Sequence, residues 1–397
     1  MSSPVEKADE GTLAQEAIDA VAATEASEEA RFFPPLWQQR RNLARSILDK
    51  EHATSIIDFG CGEAALTSFL ISETDGDYPV TRLAGVDMDA DSLAQASHQC
   101  QPQDYELGEN VRVHNLEVEL FKGSVAQADK RLLGFDALAC MEVVEHLDPE
   151  VLDEFWGVVL GTLKPKLVIV STPNAEFNIY FPQLNYGTEN AILRNDDHRF
   201  EWTRQEFQTW CQEAADKYGY SVEFTGVGRL LNQDPLVGCC TQVGVLRDMN
   251  PSRAPRMTAT EEVYTLFTKI VFPTYDKVHT DEDTVAYILE RIARTRPLPP
   301  PSQEEQDKEN AERAREGLDP WVWPAVELGR MPLEDLWLDK ATRQRCKKLG
   351  NMVRILEKSP LVNVDVAQNL VTFDEENEFW AESDRQKRQC RRQLPRI

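Results

Sequence analysis

The chain has 397 residues, a formal net charge of −25, eight cysteines and 41% hydrophobic residues. That length supports a sizeable core in one large domain or two, and the acidic balance excludes bulk electrostatic attraction as the means of gripping nucleic acid, leaving a local basic groove or delivery by a partner. No apolar run approaches the roughly 20 residues that span a bilayer, the N-terminus lacks the basic-then-apolar pattern of a signal peptide, and the cysteines are scattered with only Cys239 and Cys240 adjacent. The expectation is therefore a reduced, monomeric, cytoplasmic protein with no membrane segment.

Residues 1–28 are rich in Ala, Glu, Asp and Ser and contain no aromatic residue, a composition that predicts disorder. Order is expected from Phe32-Phe33-Pro34-Pro35, where two prolines set an extended entry to an amphipathic helix running to about Lys50 through Leu43, Ile47 and Leu48. Next come a short apolar strand, Ser55 to Phe59, a turn with Gly60 and Gly62, and a helix start at Glu63-Ala64-Ala65. Such glycines let backbone approach a ligand closely, and free amides at a helix start favour a polar one. The spacing matches G-x-G-x-x-A, so a nicotinamide-dinucleotide oxidoreductase is one reading. Asp58, two residues before the first glycine, favours a ligand with a cationic amino group instead, as S-adenosylmethionine has.

A second strand, Leu83 to Asp87, ends in an acid about 25 residues after Gly62, where a doubly wound sheet holds a ribose. Asp87 is also a possible helix cap. A third strand runs from Leu116 to Lys122 and leads through Gly123 to Ser124, which would lie near an adenine; Phe135 to Met141 is a fourth and Lys166 to Ser171 a fifth. Between the last two, Asp148 and Pro149 open a helix whose apolar face is Leu152, Phe155, Trp156, Val159, Leu160 and Leu163. Thr203 and Glu206 form a capping box, placing a helix start at about residue 204 and His198 on the preceding loop. Strands near 221–227 and 241–246 complete a seven-stranded, doubly wound, Rossmann-like α/β sheet with helices on both faces.

Glu142, Glu145 and His146 follow the fourth strand within five residues, and on a helical turn the i, i+3 and i+4 spacings would put all three on one face. Charged residues at these spacings are common on exposed helices, and His198 alone would be a plain loop residue. The preceding strand and the glycine turn that faces the same cleft raise the odds of a metal. Carboxylates and imidazoles without a thiolate speak against structural zinc; magnesium prefers oxygen, while manganese or cobalt accepts imidazole more readily.

The blocks FPPLWQQR, DFGCGEA, GVD, FKGS, MEVVEHL, STPNAEFN and LRNDDHRFEWTRQEF together resemble the small-RNA 2′-O-methyltransferase family over roughly residues 32–247. The resemblance implies methylation of the 3′-terminal ribose of microRNAs, siRNAs or piRNAs. It also implies a divalent metal, magnesium or manganese, on Glu142, Glu145, His146 and His198, with catalysis at those residues. S-adenosylmethionine would be held near Asp58, Gly60, Ala65, Asp87 and Ser124, with Gly62 completing the turn. No double-stranded-RNA-binding or PAZ-like module precedes the domain, so the layout is similar to the compact animal type, whose single-stranded substrates are presented by Argonaute or Piwi proteins. Arg40, Arg194 and Arg204 lie near shared segments and are the candidate RNA-phosphate contacts.

The expected organisation is a disordered acidic segment at 1–28, a methyltransferase domain at 29–250 and a partly helical extension at 251–397. That extension contains the Pro297 to Pro301 linker, a solvated charged helix over Gln303 to Glu316, and a helical appendage around Leu336 to Leu356 with Trp321, Trp323 and Trp337. A basic tail, Arg385 to Arg392, ends it. The rival readings are an S-adenosylmethionine enzyme with another substrate, the nicotinamide-dependent oxidoreductase, and a silencing scaffold without catalysis.

Overall fold

The computed structural model describes residues 32–393 apart from 73–77, 108–110, 231–235, 253, 256–257, 321, 323–328 and 375. The acidic segment 1–28 and the pair Trp321 and Trp323 therefore lie outside the described residues. The chain divides into two compact units, one formed largely by residues up to 272 and the other largely by 273–397.

The first unit is built on one sheet. Its strands are β1 (Ser55–Phe59), β2 (Arg82–Asp87), β3 (Glu117–Lys122), β4 (Ala137–Met141), β5 (Leu167–Pro173), β6 (Tyr220–Val227), β7 (Thr241–Asp248) and β8 (Thr265–Val271). They lie in the order β6-β7-β5-β4-β1-β2-β3-β8. Strands β1 to β5 pair in parallel, while β7 is antiparallel to both β5 and β6. All seven expected strands are present, and the sheet holds eight rather than seven, because β8 adds antiparallel to β3. The order reverses where β1 lies between β2 and β4, which opens a crevice at the carboxyl ends of these strands.

Helices α1 (Leu36–Lys50), α2 (Thr67–Ile71), α3 (Ala90–Gln99), α4 (Pro149–Trp156) and α5 (Arg204–Tyr218) cover the two faces. The period of two along β1 sends Ile57 and Phe59 to one core with Phe155, Trp156 and Phe207, and Ile56 to the other with Ala44, Leu48, Leu70 and Leu93. Helix α4 passes directly into a π-helical stretch, Gly157–Leu163, so the expected single α-helix changes winding half-way. Asp148 precedes α4 without capping it, and its carboxylate instead accepts from Arg199 Nε at 2.9 Å. The capping box of Thr203 and Glu206 at the start of α5 is formed.

The second unit has its own core, in which Ile288, Ile292, Leu336, Trp337, Met352 and Trp380 meet. It contains α6 (Asp281–Thr295), α7 (Gln303–Arg315), α8 (Leu333–Trp337), α9 (Lys340–Cys346), α10 (Leu349–Leu356) and α11 (Glu378–Gln393), with a small antiparallel sheet of β9 (Arg330–Pro332), β10 (Asn363–Asp365) and β11 (Leu370–Thr372). The charged helix α7 buries no residue, as its composition predicts. The stretch read as a basic tail is helical, as part of α11. Among the described residues no helix is long and apolar enough to cross a membrane.

Candidate active site

The glycine turn after β1 is held by the neighbouring strand: Gly60 and Cys61 donate their backbone N–H groups to Val86 O at 2.8 and 3.1 Å. Gly60 has φ +73°, and a Cβ there would stand 2.3 Å from Val143 Cγ2. Gly62 has φ +51°, and a Cβ there would meet nothing within 4 Å, so its backbone borders open space. Both positions therefore call for glycine, one for close approach and both for left-handed backbone. The helix after the turn starts at Thr67, later than expected, and Ala65 sits exposed in the intervening turns.

Asp58, 5% exposed, accepts from Thr67 Oγ1 at 2.7 Å. Burial pushes its carboxyl up to about 6, against the lowering effect of Thr67. Asp87 braces the turn, accepting from Gly62 N at 2.8 Å and Asp89 N at 2.9 Å. The helix cap is Asp89, which accepts from Ser92 N. Ser124 lies on the next loop, whose Gly123 N–H donates to Asp87 O at 3.0 Å.

On the other side of the crevice, β4 ends at Met141 and the chain turns sharply, with Glu142 at φ +57°. A non-glycine residue there carries strain of about 1 kcal/mol. Glu142 is tied down by its neighbours. Its Oε2 accepts from Arg40 Nη1 at 2.6 Å, and its Oε1 from Ser171 Oγ at 2.8 Å. Arg40 also donates to Thr241 Oγ1 at 3.2 Å. The next residues form a 3-10 turn, Val144–His146, rather than an α-helical one.

Ligand atoms of Glu145, His146 and His198 lie within 4.8 Å of one another. Glu145 is fully buried; its Oε2 accepts from Thr172 Oγ1 at 3.0 Å, whereas Oε1 has no hydrogen-bond partner. Burial first, and the charge of Glu142 second, raise its carboxyl well above the usual range. The His146 and His198 rings meet edge to face with centroids 4.8 Å apart. Burial, then repulsion from His198, lowers the His146 imidazole. His198 Nδ1 lies 2.7 Å from Glu201 Oε1, and the loop is anchored by Arg199 N–H donating to Glu145 O at 2.7 Å.

The structure thus gathers three of the four expected ligands and turns Glu142 toward Arg40. It places Arg194 differently from a phosphate contact. Its side chain is only 8% exposed, with Nε donating to Asn178 Oδ1 and the remaining nitrogens to the carbonyls of Asn174 and Cys240. Those bonds hold the guanidinium inside the protein. Arg204 is half-buried, paired with Glu176 and bonded to Leu236 O, and Arg40 is held by Glu142.

Several supporting residues escaped the sequence reading. Ser171 and Thr172, consecutive at the end of β5, orient Glu142 and Glu145. Asn178 Nδ2 donates to Glu201 Oε2 at 2.6 Å and Arg194 N to Glu201 Oε1 at 2.7 Å. The STPNAEFN block therefore serves as a frame for the carboxylates and, through Asn178 and Glu201, for His198. A carboxylate three residues after a histidine was the available signal for Glu201.

No family model matches the chain. It is 44% identical over 220 residues to the small RNA 2′-O-methyltransferase of Rattus norvegicus, covering 55% of this chain and 52% of that protein. It is 35% identical over 265 residues to that of Gallus gallus, covering 66% and 68%, and 32% identical over 263 residues to that of Schizosaccharomyces pombe, covering 61% and 69%. The crystal structure of the small RNA methyltransferase HEN1 superposes with a TM-score of 0.50 at 32% identity, over 61% of this chain and 29% of that one. The chain spans about half the length of the rat and mouse relatives it matches. With relatives at 35% and 32% identity matched over more than two thirds of their own length, the chain belongs to the small RNA 2′-O-methyltransferase family.

Proposed function

We propose that the protein transfers the methyl group of S-adenosylmethionine to the 2′-hydroxyl of the 3′-terminal ribose of a small RNA, with a magnesium- or manganese-class cation at Glu145, His146 and His198. The observation that carries this reading is the orphaned Glu145 Oε1, a buried carboxylate oxygen without a partner. Such an atom costs free energy until a cation or donor meets it, and two imidazoles lie within reach of it. The oxygen and nitrogen donors suit a hard or borderline divalent ion. Glu142 joins this set only by exchanging Arg40 for the ion.

The cofactor side fits as well. The Asp58 carboxylate suits a cationic amino group, the open face of Gly62 admits close backbone approach, Asp87 retains lone pairs for ribose hydroxyls, and Ser124 borders the adenine position. S-adenosylmethionine supplies an electrophilic methyl on a sulfonium. A cation held by Glu145, His146 and His198 would supply Lewis acidity that lowers the pKa of a ribose hydroxyl. The chain supplies position. Glu201 fixes the ring of His198 through Nδ1, leaving Nε2 for the site. Thr172 fixes Glu145, and burial together with His198 favours the neutral form of His146, whose lone pair could ligate or accept a proton.

The transferase unit is assigned to 29–250, extended by β8. The acidic balance favours an RNA presented by an Argonaute- or Piwi-type protein to a monomeric cytoplasmic enzyme. The test is methyl transfer from labelled S-adenosylmethionine to a short RNA with a free 3′ diol, with and without chelator. The expected result is chelator-sensitive transfer, with 2′-deoxy and 3′-phosphate ends inert. Equal labelling of a 3′-phosphorylated RNA would overturn recognition of the diol.

A further inference from the structure

The loop that follows β3 is shaped by a residue far along the chain, on the segment that leads into β8. Tyr264, 4% exposed, immediately precedes β8. Its hydroxyl lies 3.0 Å from Ser124 O and 2.5 Å from Gln127 O, serving as donor to this turn. Its ring lies against Gly123 so closely that a Cβ there would stand 2.1 Å from Tyr264 Cδ1. The tyrosine is itself clamped at both backbone groups. Its N–H donates to Asp129 Oδ2 at 2.8 Å, and its carbonyl accepts from Arg131 Nη2 at 2.5 Å. Asp129 is fully buried and pairs with Arg131, whose guanidinium lies over the Phe121 ring.

This arrangement exceeds what packing an aromatic ring requires. A phenylalanine would fill the same volume, yet the hydroxyl is spent on two carbonyls of one loop. That loop leaves the carboxyl end of β3 beside Asp87, to which Gly123 is hydrogen-bonded. In a doubly wound sheet this is where the adenosine half of the ligand lies.

We propose that Tyr264 is a positioning residue for cofactor binding, setting the backbone of residues 123–127 so that the loop is formed before the adenosine arrives. The inference rests on the S-adenosylmethionine reading above. Ordering a loop in advance removes its entropic cost from binding, so losing the hydroxyl weakens adenosine ligands without touching the histidine–carboxylate cluster.

Calorimetry with the full chain tests this, using S-adenosylhomocysteine and 5′-methylthioadenosine, which share only the thioadenosine half. Tyr264→Phe is expected to weaken both by a similar factor, roughly three- to tenfold as for one lost hydrogen bond, and to speed hydrogen exchange in residues 123–127. Manganese affinity should stay at the wild-type value. Gly123→Ala should weaken both ligands too, and should add no further loss in a Tyr264→Ala background, where the ring it collides with is gone. Unchanged affinity of Tyr264→Phe for both ligands would overturn the proposal, as would equal weakening of manganese, which would mark a global structural role. A wild-type protein that binds neither ligand would instead overturn the cofactor reading, and this inference with it.

Discussion

The two sides of the crevice satisfy their polar groups in different ways. Around the glycine turn, Asp58 has Thr67, Asp87 has two backbone donors and the 123–127 loop has Tyr264, so that side is complete without a ligand. Around the histidines, Glu145 Oε1 has no partner, two imidazoles face each other, and Glu142 is neutralised by an arginine from α1. One side is preorganised by its own hydrogen bonds; the other leaves a buried carboxyl oxygen of Glu145 without a partner beside two imidazoles. A site of the second kind would be stabilised by a bound cation, since binding to the native state alone adds to folding stability.

That contrast can be broken experimentally. The largest effect is expected at His198→Ala, which should lower methyl transfer about 10³-fold, a loss of several kcal/mol at the transition state, while cofactor affinity measured by calorimetry stays near wild type. A parallel loss of cofactor affinity would show that the two sides are one structure. Glu201→Gln should come next, lowering manganese affinity, read by titration, about 10- to 100-fold through a freed His198 ring. The same variant should shrink the rise in melting temperature that manganese produces.

Asp58→Asn should separate stability from binding on the preorganised side. Cofactor affinity should fall roughly tenfold for a lost charged contact. The cofactor-free protein should gain stability. The unfolded chain releases this proton near pH 4, while the native carboxyl holds it to about 6, so native stability declines as pH rises through that window. The substitution should remove that decline, worth up to about 3 kcal/mol above pH 6, as read by denaturant titration at pH 4 and pH 7. Arg204→Ala should have the smallest effect: its guanidinium already serves Glu176 and Leu236, so RNA affinity is expected to stay within about twofold, the loss of one half-exposed ion pair.

Much of this was legible in the chain because the signals are local. The runs at Ile56 to Phe59 and Leu167 to Val170 are short, apolar and buried on both faces, which is how parallel strands read. The glycine turn and the Thr203–Glu206 box carry their own chemistry. Strand β8 was missed because it is an edge strand with mostly exposed side chains beyond a proline-rich change of character. The strands of the small sheet, three residues each, are too short to show a period. At the site, helical spacing placed Glu142 with Glu145 and His146. The left-handed turn at Glu142, where the chain passes Gly60, swings its carboxylate away. The inward course of Arg194 depends on Asn174, Asn178 and Cys240 meeting in space, which no spacing in the chain encodes.

The position of β8 also bears on how the molecule is made. Its pairing partner β3 ends at residue 122 and β8 begins at 265. At translation rates of roughly 5–20 residues per second, that separation leaves the outer edge of β3 without its neighbour for about 7 to 30 seconds. A nascent chain therefore presents an open strand edge until the last piece of the sheet leaves the ribosome. A chaperone, or simply fast synthesis of the stretch between them, would matter most in that interval.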